Sequence, residues 1–390
     1  MAAKLVTTEP RHFAYIDAVR GLAFLAVLSN HVAKVDGRFP GWWIWNNGYY
    51  GVQFFFLASA ITLCYSMESR KTKDKKPVVS FFIRRLFRIG PMYWLAIILY
   101  WGLPFECLRS DWLRPFSGET GPAPLDFGLN ALFLHGWVPS AFNSVVPGGW
   151  SIGVEMTFYL IFPLLFYYLN SLNRAALAAA AGVLFATVYF RTLGPFLQAN
   201  FYSDANSPWF FTQFCFPAQL TVFFIGMFAY HLLRSDNVKI LTRNKTSSIC
   251  LLIASLFFLA LLFNGGGSGF VPIGILVVIG LTGVILALAG QTMPWLINPW
   301  LSYLGKISYS CYLVHFAALS LVFHYFKIDH SLLAQGDNNL SPLHNFIVYV
   351  KVMMAALVLT IVISTLTLHL IENPGIALGR RLINRLNKSP

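Results

Sequence analysis

Charge is scarce in this chain. Asp, Glu, Lys and Arg make up 11% of its 390 residues, whereas a soluble domain carries about a quarter. That leaves too little polar surface to cover a water-facing globule of this size. Cysteine is sparse as well. Cys64, Cys107, Cys215, Cys250 and Cys311 stand singly, with no Cys-x-x-Cys pair, and most fall in apolar runs. They read as small buried hydrophobes, which argues against a disulfide framework or a cysteine metal cluster. The histidines show no ligand spacing, so no metal is expected. Residues 1–15 lack the short apolar core and small-residue cleavage site of a secretory leader, so the first apolar segment is expected to stay as a span. There is no internal repeat, low-complexity tract or appended soluble domain.

What is abundant is apolar sequence: 57% hydrophobic, 16% aromatic, with a mean hydropathy of +0.62. Apolar runs of about 20 residues, separated by short polar stretches, match the thickness of a bilayer. The pattern predicts one all-α polytopic membrane domain over 1–390, with about ten transmembrane helices near 15–34, 48–67, 90–106, 150–170, 175–193, 209–233, 248–264, 270–290, 302–325 and 346–371. Segment 126–138 is apolar but short, and reads as re-entrant or interfacial. The longest outer segment, 107–149, is rich in Pro, Gly, Trp and Ser, and reads as a functional loop.

The net charge of +13 would suggest nucleic acid in a soluble protein. In a membrane protein it follows from the concentration of Lys and Arg in cytoplasmic loops. With the N-terminus inside, 20 of the 28 Lys and Arg fall on cytoplasmic segments and 7 on the other side, Arg20 lying in a span. Both termini are therefore expected in the cytoplasm, and no nucleic-acid partner is expected.

Ionisable groups within spans cost a few kcal/mol each and need a reason. Arg20 and His31 lie eleven residues apart on the first span. That is three helical turns and about 16 Å of rise, so both return to one face. Either could also serve as an interfacial anchor, Arg20 on lipid phosphate. Arg85 and Arg88 share a face at i,i+3, and arginine's planar fork suits phosphate. By spacing alone, topology or anionic-lipid binding is the favoured reading of this pair. Glu155 opens the fourth span at a depth comparable to His31, where it could orient the imidazole or make a structural hydrogen bond. Ser151 lies one turn before it. The ninth span gathers Ser308, Tyr309, Ser310, Tyr312 and His315, where close helix packing is the favoured reading. His135, bordering the outer loop, is a lesser candidate.

These residues carry a resemblance. Asp17-x-x-Arg20-Gly21 with His31 resembles the signature of the acyltransferase-3 family of membrane acyltransferases. Gly51-Val52-Gln53-Phe54-Phe55-Phe56-Leu57-Ala58-Ser59, Arg85-x-x-Arg88-Ile89-x-Pro91, Trp150-Ser151 leading to Val154-Glu155, Ile307-Ser308-Tyr309-Ser310-x-Tyr312-Leu313-x-His315 and Ile371-Glu372-Asn373-Pro374 follow in the family's order. Gln53 stands where an Asp is common, Ala60 where a Gly often follows the serine, and Met156-Thr157 where Glu-Gln is frequent. The resemblance implies acyl transfer, most often acetyl, from acyl-CoA to an extracytoplasmic or lipid-linked carbohydrate, in the bacterial inner membrane. It implies roles for Arg20, Arg85 and Arg88 toward the donor and for His31 and Glu155 in catalysis. Trp150, Ser151, Tyr309 and His315 are expected around the substrate. A homo-oligomer is compatible with this reading. The rival from another class is a transporter or flippase of lipid-linked sugars or acyl groups, whose intramembrane charges would line a substrate route.

Overall fold

The computed structural model describes residues 13–33, 42–102, 121–200, 208–265, 270–326 and 341–388. Cys107, Lys4, Arg11, Lys34, Arg38, Arg109, Arg114, Lys327 and the first part of the outer loop lie outside them. Among the described residues the fold is helical without strands. The helices are α1 (Ala14–Ala33), α2 (Trp42–Asn46), α3 (Gly51–Arg70), α4 (Pro77–Ile97), α5 (Pro124–Ala131), α6 (Trp150–Tyr168), α7 (Leu172–Val188), α8 (Gly194–Asn200), α9 (Pro208–Phe214), α10 (Phe216–Arg234), α11 (Asp236–Arg243), α12 (Lys245–Phe263), α13 (Ile273–Ala289), α14 (Pro299–Lys306), α15 (Ser308–Phe326), α16 (Pro342–Thr367) and α17 (Asn373–Lys388).

Local chemistry sets many of these starts. Asn244, Asn298 and Ser341 accept a backbone N–H of the first turn through their side chains, at 3.0, 2.8 and 3.2 Å, which satisfies a donor that the helix itself cannot. Pro77, Pro299 and Pro342 sit at the first helical position, where a missing N–H costs nothing.

Among the described residues, seven helical stretches are long and apolar enough to cross a membrane, or eight if the bent pair α14–α15 is one span. Of the expected ten segments, the other two are α13, apolar but only 17 residues long, and α4. The segment expected to begin near residue 90 is helical from Pro77, so Arg84, Arg85 and Arg88 lie on a helix rather than in a loop. Two further expectations change. Segment 209–233 is broken at Cys215 into α9 and α10. Segment 302–325 turns by 78° between α14 and α15. The short apolar piece near 126–138 forms the eight-residue α5 and a 3-10 turn at His135–Trp137, too short to cross.

Burial separates the helices into two sets. The apolar windows of α1, of Trp42–Arg70, of α6 and of Trp209–Arg234 are 61–78% buried, whereas those of Leu172–Asn200, of α12 and of Pro342–Lys388 are 28% buried. The second set turns apolar side chains such as Leu177, Leu184 and Leu366 outward, as a lipid-facing belt requires. α1 is held among α3, α14, α15 and α16. At the contact of α3 with α10, Ala60 faces Gly226, and a Cβ on that glycine would lie 2.6 Å from the Ala60 methyl. The alanine found where the family pattern often has glycine is thus accommodated by a glycine on the partner helix.

Candidate active site

Two cavities meet along the N-terminal half of α1. The larger, a vestibule of about 730 Å³, opens between the start of α1, the end of α3, α4 and α17. The smaller, a waist of about 70 Å³, lies deeper, among α1, α3, α4, α6 and the first turns of α15. Arg20, Thr62, Arg85 and Arg88 line both, so the two are continuous.

The expected cluster assembles at this junction. Arg20 donates to the Thr62 hydroxyl at 3.2 Å, and Thr62 in turn donates to the Ala58 carbonyl at 2.5 Å. The Arg85 guanidinium lies over the rings of Phe81 and Tyr159, 5.5 and 5.8 Å from their centroids, a placement that suits a weakly hydrated planar cation. Glu155 also lines the waist. Its Oε1 accepts from Ser59 Oγ at 2.6 Å and from the Tyr159 hydroxyl at 2.7 Å. Glu155 has two readings, a partner for His31 or a structural hydrogen bond; the bonds it makes here are to Ser59 and Tyr159, in the cavity that Arg20, Arg85 and Arg88 also line. Ser59 stands one turn before Thr62, so the carboxylate is held level with Arg20 and acts as a counter-charge there.

Ser151, Tyr309 and Tyr312 reach the waist as well. Ser151 Oγ lies 2.9 Å from the Tyr312 hydroxyl, and both lie 3.0 Å from the Gly148 carbonyl. Gly148 adopts φ +76° directly over Tyr312, a conformation and a closeness that a side chain would not tolerate. The Tyr309 hydroxyl donates to the Ile89 carbonyl at 2.7 Å, pinning α15 to α4.

His31 lies beyond the waist and touches neither cavity. Its ring packs 5.2 Å from that of His315 and 4.5 Å from that of Phe316, centroid to centroid. His315 is 5.6 Å from Tyr312. A file of rings, Tyr312, His315 and His31, thus leads from the waist to the far half of α1. His315 is fully buried, and its Nδ1–H donates to the Tyr312 carbonyl at 2.6 Å. A carbonyl can only accept, so Nε2 is left with its lone pair, and it has no hydrogen-bond partner. The Tyr100 hydroxyl donates to the Leu313 carbonyl at 2.8 Å and accepts from the Ala317 N–H at 3.2 Å. It therefore sits inside the α15 hydrogen-bond ladder on either side of His315. Sequence reading missed Tyr100, because an isolated tyrosine at the end of a span carries no pattern.

Trp150 does not open into either cavity. It is buried in a cage of Phe56, Phe142, Phe210 and Phe214. His135 is structural in its contacts: its Nε2 lies 2.9 Å from the Gly149 carbonyl and 3.1 Å from the Tyr93 hydroxyl, which steadies the turn leading into α6. Among the described residues no cluster of His, Cys, Asp or Glu could hold a metal. Cys64, Cys215, Cys250 and Cys311 are free thiols.

A third cavity, of about 630 Å³, lies at the opposite end of α1 and α3, lined by Asn30, Tyr49, Gln53, Trp209, Gln213 and Gln219 among others, and, among the described residues, by no Asp, Glu, Lys, Arg or His. Its amides are oriented by backbone carbonyls. Asn30 Nδ2 donates to the Asn46 carbonyl at 2.5 Å, and Gln219 Nε2 to the Gln213 carbonyl at 3.0 Å. Gln219 Oε1 must then accept, which it does from Gln53 Nε2 at 3.1 Å. Asn30 Oδ1 and Gln53 Oε1 are left as acceptors with no partner. Phe210 and Phe214, also on this cavity's wall, are the rings that cage Trp150, so Trp150 lies behind the partition between waist and outer cavity.

The acyltransferase-domain family model matches residues 13–365. The chain belongs to the acyltransferase-3 family. A Staphylococcus aureus (strain COL) protein named as a candidate O-acetyltransferase is 24% identical over 398 residues, covering 96% of this chain. The chain spans only 59% of that relative's length. Acyltransferase MdmB of Streptomyces mycarofaciens is 26% identical over 352 residues, covering 86% of this chain and 82% of its own. Protein 2 of the picA locus of Rhizobium radiobacter is 31% identical over 159 residues, 36% of this chain. No solved structure matches.

Proposed function

We propose that this acyltransferase-3 chain moves an acyl group, in the simplest case acetyl, from cytoplasmic acyl-CoA to a hydroxyl of an extracytoplasmic or lipid-linked carbohydrate, working in a bacterial inner membrane. One observation carries the reading: the arginine-lined vestibule narrows into a buried waist alongside the helix that bears His31. The vestibule stands at the basic end of the molecule, which the charge bias assigns to the cytoplasm. Arg20, Arg85 and Arg88 would take the nucleotide phosphates, and Glu155, tied to Ser59 and Tyr159, would keep those guanidinia in place while the mouth is empty. The pantetheine arm would run through the waist past Ser151 and Tyr309.

Tyr312 and His315 would then be the gate through which the thioester reaches His31. The imidazole takes the proton of the acceptor hydroxyl as that oxygen attacks the thioester carbonyl, and the thiolate leaves toward the vestibule. His315, fixed by its bond to Tyr312, would position the His31 ring. An acceptor arriving from the far side would meet the third cavity, whose described lining carries no charge and whose aromatic walls suit the C–H faces of sugar rings.

The test is transfer of label from acetyl-CoA to candidate glycans by the purified chain. His31→Ala should lower the rate by at least about a hundredfold, the scale of a lost general base, with the protein still inserted. Near wild-type transfer by that variant removes His31 from the chemistry. Glycan moved across vesicles without a gain in mass replaces the enzyme with a flippase.

A further inference from the structure

The vestibule holds more positive charge than the three arginines shared with the waist. Seven arginines line it against two acids, Glu68 and Asp74. Both acids are already engaged. Asp74 receives Arg84 at 2.7 Å, and Glu68 pairs with Lys71 at 2.9 Å and lies 3.8 Å from Arg234. Arg70, the last residue of α3, and Arg380, on α17, form no salt bridge or hydrogen bond through their side chains among the described residues. Arg70 nevertheless feels the like charges of Arg84 and Arg380 and the opposite charge of Asp74. Like charges gathered at the mouth of a cavity raise the energy of the empty protein and lower that of one holding an anion.

The fold holds α17 against this mouth. Gly375 and Gly379 lie against α4 at Phe87, Ile383 is buried, and the Lys75 backbone N–H donates to Asn387 Oδ1 at 3.1 Å. Arg380, Asn384 and Asn387 face the vestibule from one side of this helix. Eight residues of α3, about 12 Å of helix rise, separate Thr62, which holds Arg20, from Arg70 at the rim.

We propose that the C-terminal helix completes the donor site, Arg380 acting with Arg70 on the phosphate at the far, nucleotide end of acyl-CoA. This rests on the donor reading above. Arg20, Arg85 and Arg88 take the diphosphate next to the pantetheine arm. The ribose monophosphate, a dianion near neutral pH, falls to the rim pair, where a planar fork from each of two helices can close on it.

The experiment uses the full chain in nanodiscs of neutral phosphatidylcholine, with three donors: acetyl-CoA, acetyl-3′-dephospho-CoA and acetyl-pantetheine. Arg380→Gln and Arg70→Gln should each raise the KM for acetyl-CoA about tenfold, with kcat nearly unchanged and with the other two donors unaffected. Arg380→Lys should recover part of the loss. Adenosine 3′,5′-bisphosphate should inhibit the wild type competitively and Arg380→Gln about tenfold more weakly. Equal KM shifts on all three donors, or none, overturn the assignment. So does an effect of Arg380→Gln seen only when anionic phosphatidylglycerol is added, which would assign the rim to lipid headgroups. If the wild-type chain transfers from none of the three thioesters, the donor reading itself falls, an outcome distinct from loss of discrimination between them.

Discussion

The two ends of α1 and α3 form cavities of similar size and opposite chemistry. The vestibule, about 730 Å³, is walled by seven arginines among the described residues, and the third cavity, about 630 Å³, by tyrosine, tryptophan, phenylalanine, aliphatic residues and amides, with no formal charge among the described residues. In a chain with so few charged residues the contrast reads as allocation. Guanidinia gather at one end, and at the other Asn30 and Gln219 donate to backbone carbonyls while Gln53 donates to Gln219 Oε1. On the proposed reading, the difference teaches that donor and acceptor would be told apart by charge before they are told apart by shape.

The contrast can be broken from the charged end. Arg88→Glu sets a carboxylate where vestibule and waist join, in the cavity that already holds Glu155, and should raise the KM for acetyl-CoA at least a hundredfold while leaving the acceptor KM within about twofold, on the scale of a like-charge juxtaposition. Initial rates at varied donor and fixed acceptor decide this, and a donor KM within threefold of wild type would return the arginine to a topological role. From the uncharged end, Gln53→Asp removes the donor to Gln219 Oε1 and adds a charge. The expected loss is about 1–3 kcal/mol of stability, read as a lower midpoint of thermal unfolding in detergent, together with a higher acceptor KM and an unchanged donor KM. An aspartate tolerated there without either effect would mean that the cavity is not selected for neutrality. The smallest effect is expected between the two ends. Tyr100→Phe leaves the Leu313 carbonyl and Ala317 N–H to re-form their own bond, shifting His315 slightly, and should lower kcat about three- to tenfold, near 1 kcal/mol, with both KM values held. A change in KM alone would place Tyr100 outside the positioning of the rings.

Much of this was legible in the residues. The first span was expected at 15–34 and is Ala14–Ala33, and the fourth at 150–170 and is Trp150–Tyr168, because long apolar runs bounded by polar residues leave little freedom. Arg20 and Glu155 were picked out because polarity inside a membrane needs a reason, and Arg85, Arg88, Ser151 and Tyr309 through the family resemblance; all six line one waist. Hydropathy failed where geometry is set by something other than apolarity. α4 begins thirteen residues before its expected start because a hydrophobic window rejects the very arginines that the helix presents to the vestibule. The breaks at Cys215 and Ile307 are missed because a window of about 20 residues averages across them; Pro217, just after the first, and Gly305-Lys306, just before the second, were the available signals. Depth along two spans placed Glu155 beside His31, but depth says nothing of azimuth, and the carboxylate is turned to Ser59 instead. Arg70 and Arg380 were read as topology signals, which they can be while also facing a cavity.

The corner at Ile307 has an effect that no side chain supplies. A straight ninth span would begin at the membrane surface and spend the unsatisfied amides of its first turn on water. Turned by 78°, α15 instead begins inside the protein, and its opening residues Ser308, Tyr309 and Tyr312 border the waist. The positive pole of a nineteen-residue helix, equivalent to about half an elementary charge, is thereby delivered to the interior without a titratable group. Such a field persists at every pH and survives replacement of any single arginine, so some attraction for a negative or electron-rich group should outlast the cluster itself.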